Sequence, residues 1–95
     1  MANNYIIAFA LRESAKNYGT VTATIQNISG RWARIAHTVW YIKSDLPGSE
    51  IAAKIWADMF SEDSLLVTDA TSNTSWWYNL DEKVAAYLSA NWHLD

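Results

Sequence analysis

The order of apolar segments predicts a single α+β domain in which two helices lie on one face of an antiparallel sheet. Three observations carry this reading. An apolar run of strand length, Tyr5-Ile6-Ile7-Ala8-Phe9-Ala10-Leu11, opens the chain. Two stripes at helical spacing follow it, separated by a stretch rich in Trp, Ile, Val and Tyr. A second short apolar run, Leu65-Leu66-Val67-Thr68, comes after the second stripe.

The first run is β-branched and aromatic at its start and turns polar at Arg12-Glu13-Ser14, as expected of a central strand covered on both faces. Between residues 15 and 29, Tyr18, Val21, Ile25 and Ile28 form a helical stripe despite the β-branched Thr20, Thr22 and Thr24, and Gly30 supplies the stop. Trp32 to Ile42 is rich in Trp, Ile, Val and Tyr, alternates polar and apolar through Arg34-Ile35-Ala36-His37, and divides into a hairpin near His37-Thr38. Ser44-Asp45-Leu46-Pro47-Gly48 marks a turn into a helix, with Glu50 placed well against the helix dipole and Ile51, Ala52, Ile55 and Met59 facing inward. Leu65-Leu66-Val67-Thr68 reads as a short buried strand ending at Asp69, and Thr71-Ser72-Asn73-Thr74-Ser75 as loop. A last helix, capped by Ser75 or Asn79, presents Leu80, Val84, Tyr87 and Leu88.

Strand, helix, strand, strand, helix, strand, followed by a terminal helix, is the βαββαβ order of a ferredoxin-like fold with an extra C-terminal helix. The sheet face opposite the two main helices must be covered by the terminal helix, by the aromatic loop or by a second subunit. A homodimer, or a higher oligomer, is therefore expected of the architecture.

Ninety-five residues leave room for one core, so residues 1–95 form one domain. Hydrophobic residues make up 51% and charged residues 18%, which excludes a disordered linker. Ten acidic against seven basic side chains give a formal charge of −3, the wrong sign for binding long duplex nucleic acid. The absence of Cys removes disulfides, thiol nucleophiles and Cys-ligated zinc. No apolar run reaches the length of a membrane span and the first residues carry no basic stretch, so a cytoplasmic protein without membrane contact is expected.

The strand patterns Tyr5-Ile6-Ile7-Ala8-Phe9-Ala10-Leu11-Arg12, Thr38-Val39-Trp40-Tyr41-Ile42-Lys43-Ser44-Asp45-Leu46 and Asp63-Ser64-Leu65-Leu66-Val67-Thr68-Asp69-Ala70-Thr71, with the Trp76-Trp77 pair, resemble the short SinR-family proteins over nearly the whole chain. That family is similar to the small CRISPR adaptation endoribonuclease, a ferredoxin-like homodimer. The resemblance implies an aspartate for a divalent metal at the end of the first strand. This chain has Ala10 there, which cannot ligate magnesium, so binding rather than hydrolysis is expected.

Other chemistry is sparse. Asp69, at a strand end and followed by Thr71 and Ser72, fits a ligand or base in a crevice, but an Asx-type turn or a cap is the favoured reading. Asp58, Glu62 and Asp63 cluster without the spacing of a cation loop. His37 and His93 have no Cys to complete a zinc site, and no phosphate-cradling or nucleophile-elbow motif is present. No catalytic residue, metal or cofactor is expected.

Six Trp, five Tyr and two Phe are the unusual feature. Trp40 and Trp56 are expected in the core. Trp32, Trp76, Trp77 and Tyr78 fall outside the stripes and are candidates for a partner surface or for stacking a flat ligand. Arg12, Lys16, Arg31 and Arg34 are four of the seven basic residues, and Arg beside aromatic rings is suited to a phosphate-bearing base. Arg12, Arg31, Trp32, Arg34, Trp76, Trp77 and Tyr78 are thus the expected binding residues, for a small nucleotide or a protein partner. The reading that follows is a non-enzymatic homo-oligomeric binding protein, such as a phage or mobile-element accessory that sequesters a nucleotide signal or blocks a host protein. Its rivals are a divergent metal-dependent nuclease using Asp69 with Asp45 or Glu13, and a structural subunit of a larger assembly.

Overall fold

The computed structural model describes residues 2–71 and 80–91. Strand β1, Asn3–Ala10, pairs antiparallel with β3, Val39–Ser44, on one side and with β4, Ser64–Asp69, on the other. Strand β2, Trp32–Ala36, joins the far side of β3, so the sheet order is β2-β3-β1-β4. Helices α1, Ser14–Ile28, and α2, Gly48–Trp56, make the two crossovers, and α3, Glu82–Asn91, follows. This is the antiparallel ferredoxin-like α+β arrangement with a C-terminal helix.

Alternation along the strands sorts the sheet into two apolar layers. Tyr5, Ile7 and Phe9 of β1 and Trp40 and Ile42 of β3 turn to one face, where Val21 and Ile25 of α1 and Ile51 and Ile55 of α2 close over them. The intervening residues face the other way, and Ile6, Ala33, Ile35, Tyr41 and Ala70 pack there with Leu80, Val84, Tyr87 and Leu88. The terminal helix therefore covers the β2 side of this second face and leaves the β4 side, with Leu66, open.

Local chemistry explains the boundaries. The threonines of α1 are absorbed: Thr22 Oγ1 donates back to the Tyr18 carbonyl at 2.9 Å, and Thr24 Oγ1 donates to the Asp58 carboxylate. The helix stops because Ser29 turns extended, at φ −148° and ψ 140°, and Gly30 has no left-handed φ; the stop belongs to Ser29, not to the glycine. Ser29 Oγ donates to the Lys43 carbonyl and accepts the Arg31 N–H at 3.0 Å, which aims the chain into β2. Helix α3 is capped by Asp81, whose Oδ2 accepts the Lys83 N–H at 3.0 Å; the expected caps Ser75 and Asn79 lie outside the described residues.

Three expectations change. β4 is an edge strand rather than a buried one, and Leu66 on its outer face is 62% exposed. β1 is central but only half covered, since Ala10 is exposed and Ile6 and Ala8 are half-buried. Trp56 is 43% exposed, because it follows the inward Ile55 by one position, about 100° around the helix.

Candidate functional site

The β2–β3 hairpin sets the geometry of the aromatic and basic residues. The Lys43 N–H donates to the Arg31 carbonyl at 2.9 Å, which fixes the phase of the β2–β3 ladder. Residues 31 and 33 then exchange bonds with β3, while the peptide groups of Trp32 and Arg34 point to the outer edge of the sheet. The side chains of Trp32 and Arg34 fall on the α1 side of β2, opposite Ile42 and Trp40. A register shift between Arg34 and Ala36 ends the regular ladder, and the Tyr18 hydroxyl, donating to the His37 carbonyl at 2.8 Å, pins the turn to α1. The His37 and Tyr18 rings stack at 4.1 Å, 2° from parallel.

A recess of about 850 Å³ wraps this edge. Trp32, Arg34 and Trp40 line it from the α1 side of the sheet, and Lys83, Val84 and Tyr87 line it from α3. The Trp32 and Trp40 rings meet at 5.4 Å with a 44° tilt, so Trp32 shields Trp40 while leaving 37% of itself exposed. Trp40, which lines the recess, is buried, yet its indole Nε1–H has no acceptor among the described residues. A buried donor left unpaired costs on the order of 1–3 kcal/mol, a deficit that an acceptor entering the recess would remove.

The electrostatics favour an anion. Arg34 and Lys83 bring two cations to the recess against the single carboxylate of Asp81, and Arg31 is close enough to act on both Tyr41 and Tyr87. Burial, helped by the neighbouring Tyr87 phenol, pushes Tyr41 up to about 12 against the opposing pull of Arg31. Burial also raises Tyr87, while Arg31 and the outward Trp32 N–H favour its ionised form.

The remaining expected residues fall elsewhere. Arg12 sits in a separate recess with Glu13, Lys16 and Glu62, pairs with Glu62, and donates its backbone N–H to Asp63 Oδ1 at 2.9 Å. Arg31 borders a further recess with Ser29, Gly30, Lys43 and Asp45. Trp76, Trp77, Tyr78 and His93 lie outside the described residues. Lys83 and Tyr87 are not among the expected site residues; Tyr87 belongs to the apolar stripe Leu80, Val84, Tyr87 and Leu88, and Lys83 directly precedes Val84 of that stripe.

The acidic candidates separate. Asp69 Oδ1 accepts the Thr71 N–H at 3.0 Å and the Thr71 hydroxyl at 2.6 Å, an Asx turn that holds its carboxyl below the usual range. Asp63 is buried and accepts from the Arg12 and Phe60 N–H groups and from the Asn17 amide, and the backbone bonds chiefly hold its carboxyl low. Asp69 pairs with Tyr5 at one end of β1, whereas Glu13 lies beyond Ala10 at the other, on the order of 17 Å of strand away. Among the described residues no three His, Cys, Asp or Glu side chains converge as a metal site requires.

No protein-family model matches the chain, and no curated protein matches it significantly in sequence. The class of protein is therefore defined by the ferredoxin-like fold itself. Among the described residues no helix is long and apolar enough to cross a membrane.

Proposed function

We propose that the chain is a non-enzymatic binding protein whose β2-edge recess takes a small anionic ligand with a flat ring, of the nucleotide class. The observation that carries this reading is the buried Trp40 indole N–H, which has no acceptor among the described residues, on a residue that lines the recess together with Trp32 and Arg34. Trp32 supplies a face for stacking, Arg34 and Lys83 supply phosphate contacts, and the Trp40 N–H supplies a directional donor to the ring or sugar. Ala10, exposed at the end of β1, supports capture over cleavage, since its side chain offers no carboxylate to a metal. A homodimer of the kind the SinR resemblance implies would hold two such recesses, one per protomer, which suits sequestration of a cytoplasmic nucleotide signal by a phage or mobile-element accessory.

Calorimetric titration with mono- and cyclic nucleotides tests the reading. Stacking on an aromatic ring is worth about 1–3 kcal/mol, so Trp32→Ala weakens binding by roughly 5- to 150-fold, and Arg34→Ala weakens it by about 10-fold. Binding that survives both substitutions unchanged moves the site away from β2. Turnover of the nucleotide would replace capture with catalysis.

A further inference from the structure

The outer edge of β2 runs through the recess, which Trp32, Ala33, Arg34, Ile35 and Ala36 all line. Since residues 31 and 33 bond to β3, the main-chain groups of Trp32 and Arg34 face outward, and among the described residues no strand pairs with them. The Tyr87 phenol accepts the Trp32 N–H. A short row then remains along the edge: the Trp32 carbonyl, the Arg34 N–H and the Arg34 carbonyl, in the order acceptor, donor, acceptor.

An added strand is a poor occupant of this row. Tyr87 closes it at one end, the register shift between Arg34 and Ala36 bends it at the other, and the Arg34 side chain places a charge beside it. A flat heterocycle needs only the groups between. Such a ring can lie in line with the sheet, because Trp32, Arg34 and Trp40 stand on the α1 side of the edge while Val84 and Tyr87 of α3 stand on the other.

Resting on the nucleotide reading above, we propose that this row reads the base of the ligand and selects adenine. The row demands a donor, then an acceptor, then a position without an acceptor. Adenine answers it on both edges that carry its amino group. N6–H donates to one of the two carbonyls, N1 or N7 accepts the Arg34 N–H, and C2–H or C8–H turns to the other carbonyl. Uracil presents acceptor, donor, acceptor and opposes every group of the row. Cytosine sets its O2 against a carbonyl, and guanine, on both edges that carry O6, likewise sets an acceptor against a carbonyl.

Calorimetric titration with AMP, IMP, GMP, CMP and UMP, which share one phosphate and one sugar, tests this in the wild type, Arg34→Ala and Arg34→Pro. AMP is expected to bind about 10-fold or more tighter than the others, since each wrong base leaves enclosed polar groups unpaired. Arg34→Ala removes the guanidinium and keeps the row, so it weakens every nucleotide alike and the AMP preference stays. Arg34→Pro also removes the N–H. That N–H bonds to no strand among the described residues and lies on a sheet edge, so proline spares the fold, checked by circular dichroism, and the preference disappears. A wild type that binds all the nucleotides equally overturns adenine selection but keeps the recess as a nucleotide site, whereas binding of none overturns both. An AMP preference that survives Arg34→Pro overturns the row as its source. If Arg34→Pro misfolds, Arg34→Ala decides: a preference lost there belongs to the guanidinium and overturns the proposal, and one retained supports it.

Discussion

Asp63 shows how much one side chain can hold. Its two oxygens accept the Arg12 and Phe60 N–H groups and the Asn17 amide, so it ties the end of β1, the start of α1 and the loop before β4 together. Each accepted bond favours the carboxylate, and its folded pKa is depressed. A depressed carboxyl contributes stability that is present above its unfolded value, near 3.9, and is lost as pH falls through the folded one. Asp69 acts in the same direction through Thr71. Urea unfolding as a function of pH should therefore show wild-type stability declining below about pH 4. Asp63→Asn should lower the midpoint at pH 7 and flatten that acid decline, leaving only the part Asp69 supplies. An unchanged acid slope would remove Asp63 from this role.

Helix α3 is the element that makes the recess, and it is fastened at both ends. Asp81 caps its first turn, and the buried Lys43 of β3 donates from Nζ to the Asn91 carbonyl at 2.8 Å, a cation at a helix C-terminus. Asp81→Ala should cost about 0.5–2 kcal/mol in denaturant unfolding, and Lys83→Ala, which keeps that cap, should weaken ligand affinity by removing a cation from the recess. Full affinity in Lys83→Ala would separate α3 from the site. The helix itself is legible in the sequence from Leu80, Val84, Tyr87 and Leu88, and so are α1, α2 and the hairpin, since each carries a clean apolar period. Which half of the sheet α3 covers is not legible, because Ile6, Ala33 and Ile35 offer it equivalent apolar partners. The edge position of β4 is hidden for a related reason: Leu65-Leu66-Val67 is apolar throughout, and only the pairing order separates the inward Leu65 and Val67 from the exposed Leu66.

At the scale of the whole molecule, the proposed function rests on how the two sheet edges differ. The β2 edge carries Arg34, a register shift and α3, and there an aromatic and cationic recess forms; among the described residues no strand pairs with the β4 edge, where Leu66 is exposed. A net charge of −3 leaves positive bias only locally, which is why the proposed ligand is a small anion. Trp32 and Arg34 are recognisable in the sequence as an aromatic–cation pair. The recess as a site is not, because Trp40 reads as core and Lys83 and Tyr87 arrive from an element about 50 residues away.

The central claim is that the Trp40 indole N–H awaits a ligand acceptor. A nitrogen-15 correlation spectrum isolates the indole N–H signals of the six Trp, assigned by single Trp→Phe substitutions. Titrating a nucleotide should move the Trp40 signal downfield as its proton gains an acceptor, with the Trp32 signal shifting from ring stacking and Trp56 staying fixed. Nucleotide binding that leaves the Trp40 and Trp32 signals in place, or no binding at millimolar nucleotide, would contradict the account.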